Sequence, residues 1–371
     1  MKKSKILKIT FVVLFFLALV LVGIYFLLQR QTYNAIETIN YYENVSLDNP
    51  GYEKYLNGVL KYTRDGIAFL DKSGEEVWNH PCQMNNPIVE VRGEVAVICD
   101  RSGTSIFVFE EDGLKGEIKT TRPIERISVS KQGVVAAILK DDSTPKVVCY
   151  DATGNVLVEQ NASLDNTGYP VDVALTEDGN VLLVSYLMAD GTGVRTKIVY
   201  YDFGGEDIDK KDFKIYEQIF DENVIPVVDY LDKDTSILVA DNQIILYDGK
   251  EELKETVRIP VYEISNIAYN EKNIVLLLRE ENSSTYKIKI YNTSGELLSE
   301  IELDQAYGNM NLFDDQIILY EENECCIYTK DGICKYKGEL DLGILEMYPV
   351  FGLNKYMMIN ANGFYEIRLA N

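Results

Sequence analysis

Apolar and polar positions divide this chain into two very unequal parts. From Ile9 to Leu28 the run ITFVVLFFLALVLVGIYFLL contains no charged residue. A helix of that length rises roughly 30 Å, the thickness of a bilayer's hydrocarbon core, so residues 9–28 are predicted to form a transmembrane α-helix. A cleaved signal peptide would have a shorter apolar core and small residues at its cut site. Here Tyr25-Phe26-Leu27-Leu28 and then Gln29-Arg30-Gln31 follow instead, so an uncleaved anchor is expected. Lys2, Lys3, Lys5 and Lys8 precede the run and only Arg30 closely follows it. That asymmetry predicts a cytoplasmic tail at 1–8 and an extracytoplasmic remainder. Residues 29–42 read as a short polar or helical stalk.

Beyond the stalk the pattern changes. Short runs of Val, Ile, Tyr and Leu are parted by Asp, Asn and Gly, with no sustained helical period, which predicts strands and tight turns. One phrase recurs: a β-run ends in an aromatic residue or Leu, an acid or amide follows, then a turn with Gly. It stands as Leu70-Asp71-Lys72-Ser73-Gly74, Phe109-Glu110-Glu111-Asp112-Gly113, Tyr150-Asp151-Ala152-Thr153-Gly154 and Tyr291-Asn292-Thr293-Ser294-Gly295, with looser copies ending at Gly204, Gly249 and Gly332. Asp or Asn hydrogen-bonds the turn backbone, and Gly accepts the positive φ of a tight reversal.

These turn glycines lie 37 to 50 residues apart. A period of that size with four short strands per unit predicts an all-β fold, a β-propeller. The third unit parses as Ile124–Ser130, Val134–Leu139, Lys146–Tyr150 and Val156–Gln160; the sixth as Glu263–Tyr269, Asn273–Leu278, Tyr286–Tyr291 and Leu297–Ile301. After seven units the tail supplies only three strands, Leu345–Val350, Lys355–Asn360 and Phe364–Leu369. Glu43–Leu47, at the start of the domain, would complete them and cover an open sheet edge. Eight blades over residues 43–371 are therefore expected, with seven as the alternative.

The phrases Asp71-Lys72-Ser73-Gly74-Glu75-Glu76-Val77-Trp78 and Asp151-Ala152-Thr153-Gly154-Asn155-Val156-Leu157 resemble the turns of quinoprotein-like and WD-repeat-like propellers. An anchor joined to an acidic, Tyr-rich propeller is also similar to a family of unknown function among membrane-anchored proteins of Gram-positive bacteria. The resemblance implies a propeller outside the cytoplasm and carries over no catalytic residue. Only one tryptophan, Trp78, is present, which departs from the quinoprotein pattern.

Charge then narrows the partners. The chain has 59 acidic and 36 basic side chains, a formal charge of −23, and five of the basic ones lie in its first thirty residues. So acidic a domain will not hold nucleic acid by phosphate electrostatics. With one histidine, His80, any Ser-His or Cys-His device would have to use it, and no nucleophile motif accompanies it. His80 is expected in a loop. The six cysteines match no zinc spacing. Cys82 and Cys99 flank a predicted hairpin, Ile88–Val91 with Val95–Ile98, and are the expected disulfide. Paired acids at Asp141-Asp142, Asp232/Asp234 and Asp314-Asp315 fall in turns, where backbone needs explain them. No cofactor is expected; calcium at an acidic turn is the one alternative.

These readings converge on a cell-surface binding or scaffold module without catalysis, whose partner is a protein or an envelope polymer. The expected binding loops are Asn161–Pro170, which includes Tyr169, and Leu187–Val194, on the face that also holds His80–Pro87. The competing reading is an enzyme that processes envelope glycan or peptide with channel carboxylates.

Overall fold

The computed structural model describes residues 11–371 apart from 12, 14, 18, 21–22, 24–29, 45–49, 165, 190–192, 205–212, 250–252, 280–284 and 341–342. Eight four-stranded antiparallel sheets form the ring of a β-propeller. The strands of each blade are lettered a to d from the axis outwards. Seven blades use four consecutive strands; the first is Gly51–Tyr55, Gly58–Thr63, Gly66–Leu70 and Glu76–Pro81. The third is Ile124–Val129, Val135–Leu139, Lys146–Tyr150 and Val156–Asn161, close to the parse from sequence.

Strand b reads as an unbroken apolar run because both its faces are covered. In Val135–Leu139 all five residues are buried. Sheets stacked side by side bury these faces against each other, and eight apolar clusters result, one at each junction between neighbouring blades. Burial of one Val, Leu or Ile contributes about 1.5–3 kcal/mol, so the ring is held by repeated side-to-side packing.

The recurrent phrase stands where strand c ends and the c–d connection begins in all seven consecutive blades; residues 205–212 and 250–252 of these connections lie outside the described residues. Asp151 Oδ1 accepts from the N–H groups of Thr153 (2.9 Å) and Asn155 (3.0 Å). Asn292 does the same for Ser294 and Glu296, and Asp71 for Ser73 and Glu75. The residue just before the turn sits at a bulge each time: Leu70, Phe109, Tyr150, Tyr201, Tyr247, Tyr291 and Tyr328. Such a bulge adds twist where the outer strand swings away from its neighbour. Gly154 has φ +95° and Gly74 +75°, a region that disfavours any side chain; Gly204 is not among the positive-φ glycines.

The eighth blade joins the two ends of the chain. Glu346–Pro349, Lys355–Asn360 and Gly363–Ala370 are its strands a to c, and Ala35–Glu43 is its outermost strand. Pairing runs from Ala35↔Ala370 to Glu43↔Gly363 with a bulge at Thr38/Asn40. The closing strand thus lies in the segment read as a stalk, ahead of the Glu43–Leu47 expected from sequence; residues 45–49 lie outside the described residues. Exposure explains the misreading. Only Ala35, Ile36 and Tyr42 of Ala35–Glu43 are shielded even in part, so the strand lacks the alternation that marks a half-buried one.

Chain order assigns two faces to the ring. The a–b and c–d turns lie on one, here called the turn face; the b–c turns and d–a connections lie on the other, the loop face. The closing strand starts on the turn face. Tyr33 N–H donates to the Lys335 carbonyl (2.8 Å), its hydroxyl bonds Asn354 in the a–b turn of blade 8, and Asn34 N–H reaches the Ala370 carbonyl (3.1 Å).

Most of the predicted span from Ile9 to Leu28, both end residues included, lies outside the described residues. Phe11, Val13, Phe15, Phe16, Leu17, Leu19, Val20 and Gly23 are helical. No helix formed by the described residues is long and apolar enough to cross a membrane.

Candidate binding face and central channel

On the loop face the structure brings four of the five expected residues together on blades 3 and 4. Asn161 ends strand d of blade 3, and Tyr169 opens strand a of blade 4. Tyr169 is the register partner of Leu187, and Val194 stands across the b–c turn paired with Ala189. The connection is organised internally: the Ser163 carbonyl accepts from Thr167 (2.8 Å) and Gly168 (3.0 Å), and Lys197 Nζ donates to the Asn166 carbonyl (2.9 Å). Residues 165 and 190–192 of these loops lie outside the described residues.

His80 lies on the same face but apart from them, on blade 1, near the end of a strand and not in a loop. It is in strand d of blade 1, paired with Ile67, and its ring lies 4.8 Å from that of Phe107. The expected loop histidine is therefore part of the aromatic packing between blades 1 and 2, beside Trp78, which stacks on Phe109 at 4.8 Å.

A second feature of the loop face escaped the sequence reading. Between blades 5 and 6 a cavity of about 520 Å³ is walled by Pro260, Val261, Tyr262 and Leu278 and edged by Arg279, Lys287 and Lys289. The alternation Lys287-Ile288-Lys289-Ile290 in strand c carries this signal, since it turns both lysines to one side. Lys287 pairs with Glu300 at 3.0 Å. Tyr262 is 63% exposed. Glu300 also reaches Lys289 at 3.8 Å, so the three cations and the exposed aromatic at this cavity have an acid beside them.

The channel is the third feature. A cavity of about 200 Å³ at the axis is lined by Glu90, Arg126, Asp172, Asp229 and Tyr269, from the inner strands of blades 2 to 6. Bulges just before Arg126 and Asp172 re-aim these two side chains. Arg92 is ion-paired with Asp229 across the channel. Asp172 accepts from the Val228 N–H at 2.9 Å. On the far side Glu346 accepts from Asn311 (2.7 Å) and from the Met347 N–H (3.0 Å). Glu90 accepts no hydrogen bond from the described residues.

Burial dominates how these acids titrate. It pushes Glu90 up to about 8, helped by Asp229 and opposed by Arg92. Asp172 rises to about 6 by burial, against its Val228 hydrogen bond. Glu346 rises to about 7, again by burial and against the Met347 N–H. Lys54, on the inner strand of blade 1, is lowered to about 8 by burial.

The acid pairs singled out in the sequence lie elsewhere and serve turns. Asp141 accepts from the N–H groups of Thr144 (2.9 Å) and Ser143 (3.0 Å), which hold its carboxyl down to about 2. Asp232 takes the N–H groups of Asp234 and Thr235, both at 2.8 Å. Asp315 pairs with Lys330 at 3.1 Å. Among the described residues no group of three or more His, Cys, Asp or Glu side chains is placed to hold a metal ion.

The expected Cys82–Cys99 bond is not formed, and all six cysteines are free. The hairpin argument overlooked the alternation of faces. Cys99 points into the cluster between blades 2 and 3, whereas Cys82 packs against the cluster between blades 1 and 2. The sheet of blade 2 stands between them. Cys325 and Cys326 likewise face opposite junctions.

A family model described as Family of unknown function (DUF5711) matches residues 29–369. A search of curated protein sequences gave no match. Three solved structures share the architecture. BamB from Moraxella catarrhalis is 12% identical over 90% of this chain and 99% of its own, with a TM-score of 0.55. Sqt1 from Chaetomium thermophilum, bound to the N-terminus of the ribosomal protein L10, is 12% identical over 91% and 100%, at 0.57. Apo AztD from Citrobacter koseri is 9% identical over 79% and 87%, at 0.55. At such identities the likeness is one of fold.

Proposed function

We propose that this chain, which belongs to that family of unknown function (DUF5711), is a membrane-anchored, extracytoplasmic propeller that holds a protein partner on its loop face. One observation carries the reading: the chain enters the ring on the turn face, at Tyr33. An anchor built from residues 9–28 would then keep the turn face towards the bilayer and present the loop face outwards. On that outward face lie the blade 4 loops and the cavity edged by Arg279, Lys287 and Lys289. A partner segment that combines carboxylates with apolar side chains would fit this cavity, cation against acid and Tyr262 against the apolar part. Sqt1, a propeller of similar architecture, is seen with the N-terminal segment of another protein, which supports a peptide-like occupant.

The test uses the full chain in its own membrane, with a photo-crosslinking residue placed at Tyr262, Met188 or Leu114. Adducts with one discrete protein from Tyr262 and Met188, and none from Leu114 on the outer rim of blade 2, are expected. Adducts of equal yield from Leu114 would overturn the face assignment. External protease on intact cells should digest the propeller; full protection would refute the outward location.

A second reading, an envelope glycan- or peptide-processing enzyme, has one observation in its favour. Burial pushes the Glu90 carboxyl up to about 8 in a cavity it shares with Asp229, the ion-pair partner of Arg92, and acid chemistry uses a carboxyl raised in this way. Glu90→Gln separates the readings: it would abolish any turnover of envelope substrates while leaving crosslinks from Tyr262 intact.

A further inference from the structure

The a–b turn of blade 8, residues 350–354, differs from those of blades 2 to 7; blade 1 has the short uncharged turn Leu56-Asn57. Its sequence is Val350-Phe351-Gly352-Leu353-Asn354. Phe351 is fully exposed, at 102%, and Leu353 is 67% exposed. The corresponding turns of blades 2 to 7 carry Glu94, Lys131, Asp178, Asp232, Glu271 and Asp314, as solvated turns usually do. An apolar tip of this size, unpaired and without charge, marks a contact surface.

Its position says what the contact is. Asn354, the last residue of the turn, is hydrogen-bonded to Tyr33, and its carbonyl accepts from Leu369 at 3.0 Å. Only residues 29–32 separate Tyr33 from Leu28, the end of the twenty-residue apolar run. The five peptide steps from Leu28 to Tyr33 span at most about 18 Å. The exposed Phe351 and Leu353 therefore stand beside the point from which the apolar run departs, and on the same face. Among the described residues of the apolar run, Phe11, Phe16 and Val20 are themselves 73%, 61% and 57% exposed.

We propose that the Phe351-Gly352-Leu353 tip enters the lipid interface next to the anchor and gives the propeller a second point of contact with the bilayer. This rests on the anchored reading above. Phe and Leu favour the headgroup–acyl boundary, and the fixed distance to Tyr33 makes insertion almost intramolecular once the anchor is in place. The charged turns of blades 2 to 7 favour water, so the ring leans with blade 8 lowest and blade 4, across the axis, highest.

The experiment reconstitutes the full chain in phosphatidylcholine liposomes with ordinary or brominated acyl chains, and reads tryptophan emission. Native Trp78, stacked on Phe109 between blades 1 and 2, provides the reference. The added emission of Phe351→Trp should fall ~2-fold or more in brominated lipid, while that of Tyr262→Trp on the loop face should not. Liposome flotation separates the two ideas. Chain that floats with the lipid while Phe351→Trp stays unquenched overturns the lipid contact and leaves the anchor standing. Chain that fails to float overturns both. Equal quenching of Tyr262→Trp would show that the wrong face meets the bilayer.

Discussion

Blades 1 to 7 and blade 8 solve the same packing problem by different routes. In the first seven each outer strand follows its neighbour in the chain, leaving it at a bulge, and in blades 1, 3, 4 and 6 an Asp or Asn side chain also accepts from the backbone just after it. Blade 8 has no such turn: its outer strand comes from the other end of the chain, held by strand pairing and by side chains such as Lys355 and Asn40, which both reach Glu366 (2.7 and 2.6 Å). The Tyr41 and Tyr365 rings add a contact at 4.7 Å. Local turns cost little loop entropy and form early, whereas the closing pair must bring together residues more than three hundred positions apart. The ring is thus modular around most of its circumference and cooperative at one seam.

The sharpest way to break this comparison is to remove the seam. Deleting residues 1–43 should cost more than about 5 kcal/mol, or abolish the cooperative transition, because it exposes strand c of blade 8 as a bare edge. Deleting residues 1–30 should leave the denaturation midpoint nearly unchanged. Equal midpoints for both truncations would show that closure is dispensable.

The second test concerns the channel, where Glu346 of blade 8 is hydrogen-bonded and Glu90 of blade 2 is not. A carboxyl raised in the folded state binds more protons folded than unfolded between its usual pKa of 4.5 and about 8. Stability should therefore fall as pH rises through that window. Glu90→Gln should flatten the fall and raise stability at pH 8 by on the order of 1–3 kcal/mol, discounted for channel water. Glu346→Gln should gain less, since it disturbs existing hydrogen bonds. A denaturation series from pH 5 to pH 9 reads both.

A smaller effect is expected at the turns. Asp71→Ala removes acceptors for the Ser73 and Glu75 N–H groups and should cost about 1 kcal/mol, with no equivalent site in blade 8. Smallest of all, reductant should leave the midpoint where it is, because no covalent bridge reinforces the seam or any blade. A clear loss of stability in dithiothreitol would reveal a disulfide.

What could be read from the sequence follows the same division. Strands b and c and the c–d turns were legible because both faces of strand b are buried and because Asx-type turns repeat one phrase. The closing strand was not, since an outermost strand needs few apolar residues. Channel acids such as Glu90 and Asp172 are single residues inside inner strands, whereas the conspicuous pairs at Asp141 and Asp232 are backbone acceptors. The Cys82–Cys99 pairing failed on parity: which side of a sheet a residue takes changes with one position. His80 was misplaced because strand d of blade 1 carries few buried positions to mark where it ends.

The entry of the chain beside its own C-terminus has a mechanical side. Any pull transmitted through the N-terminal tether meets first the hydrogen bonds of Tyr33 and Asn34 and then the seam at Ala35. The eight register pairs of the seam would then be loaded in sequence from that end, and would open like a zip rather than resist together. The outermost strand of blade 8 is the weak link through which strain on the tether would first be felt, while the other seven sheets stay whole.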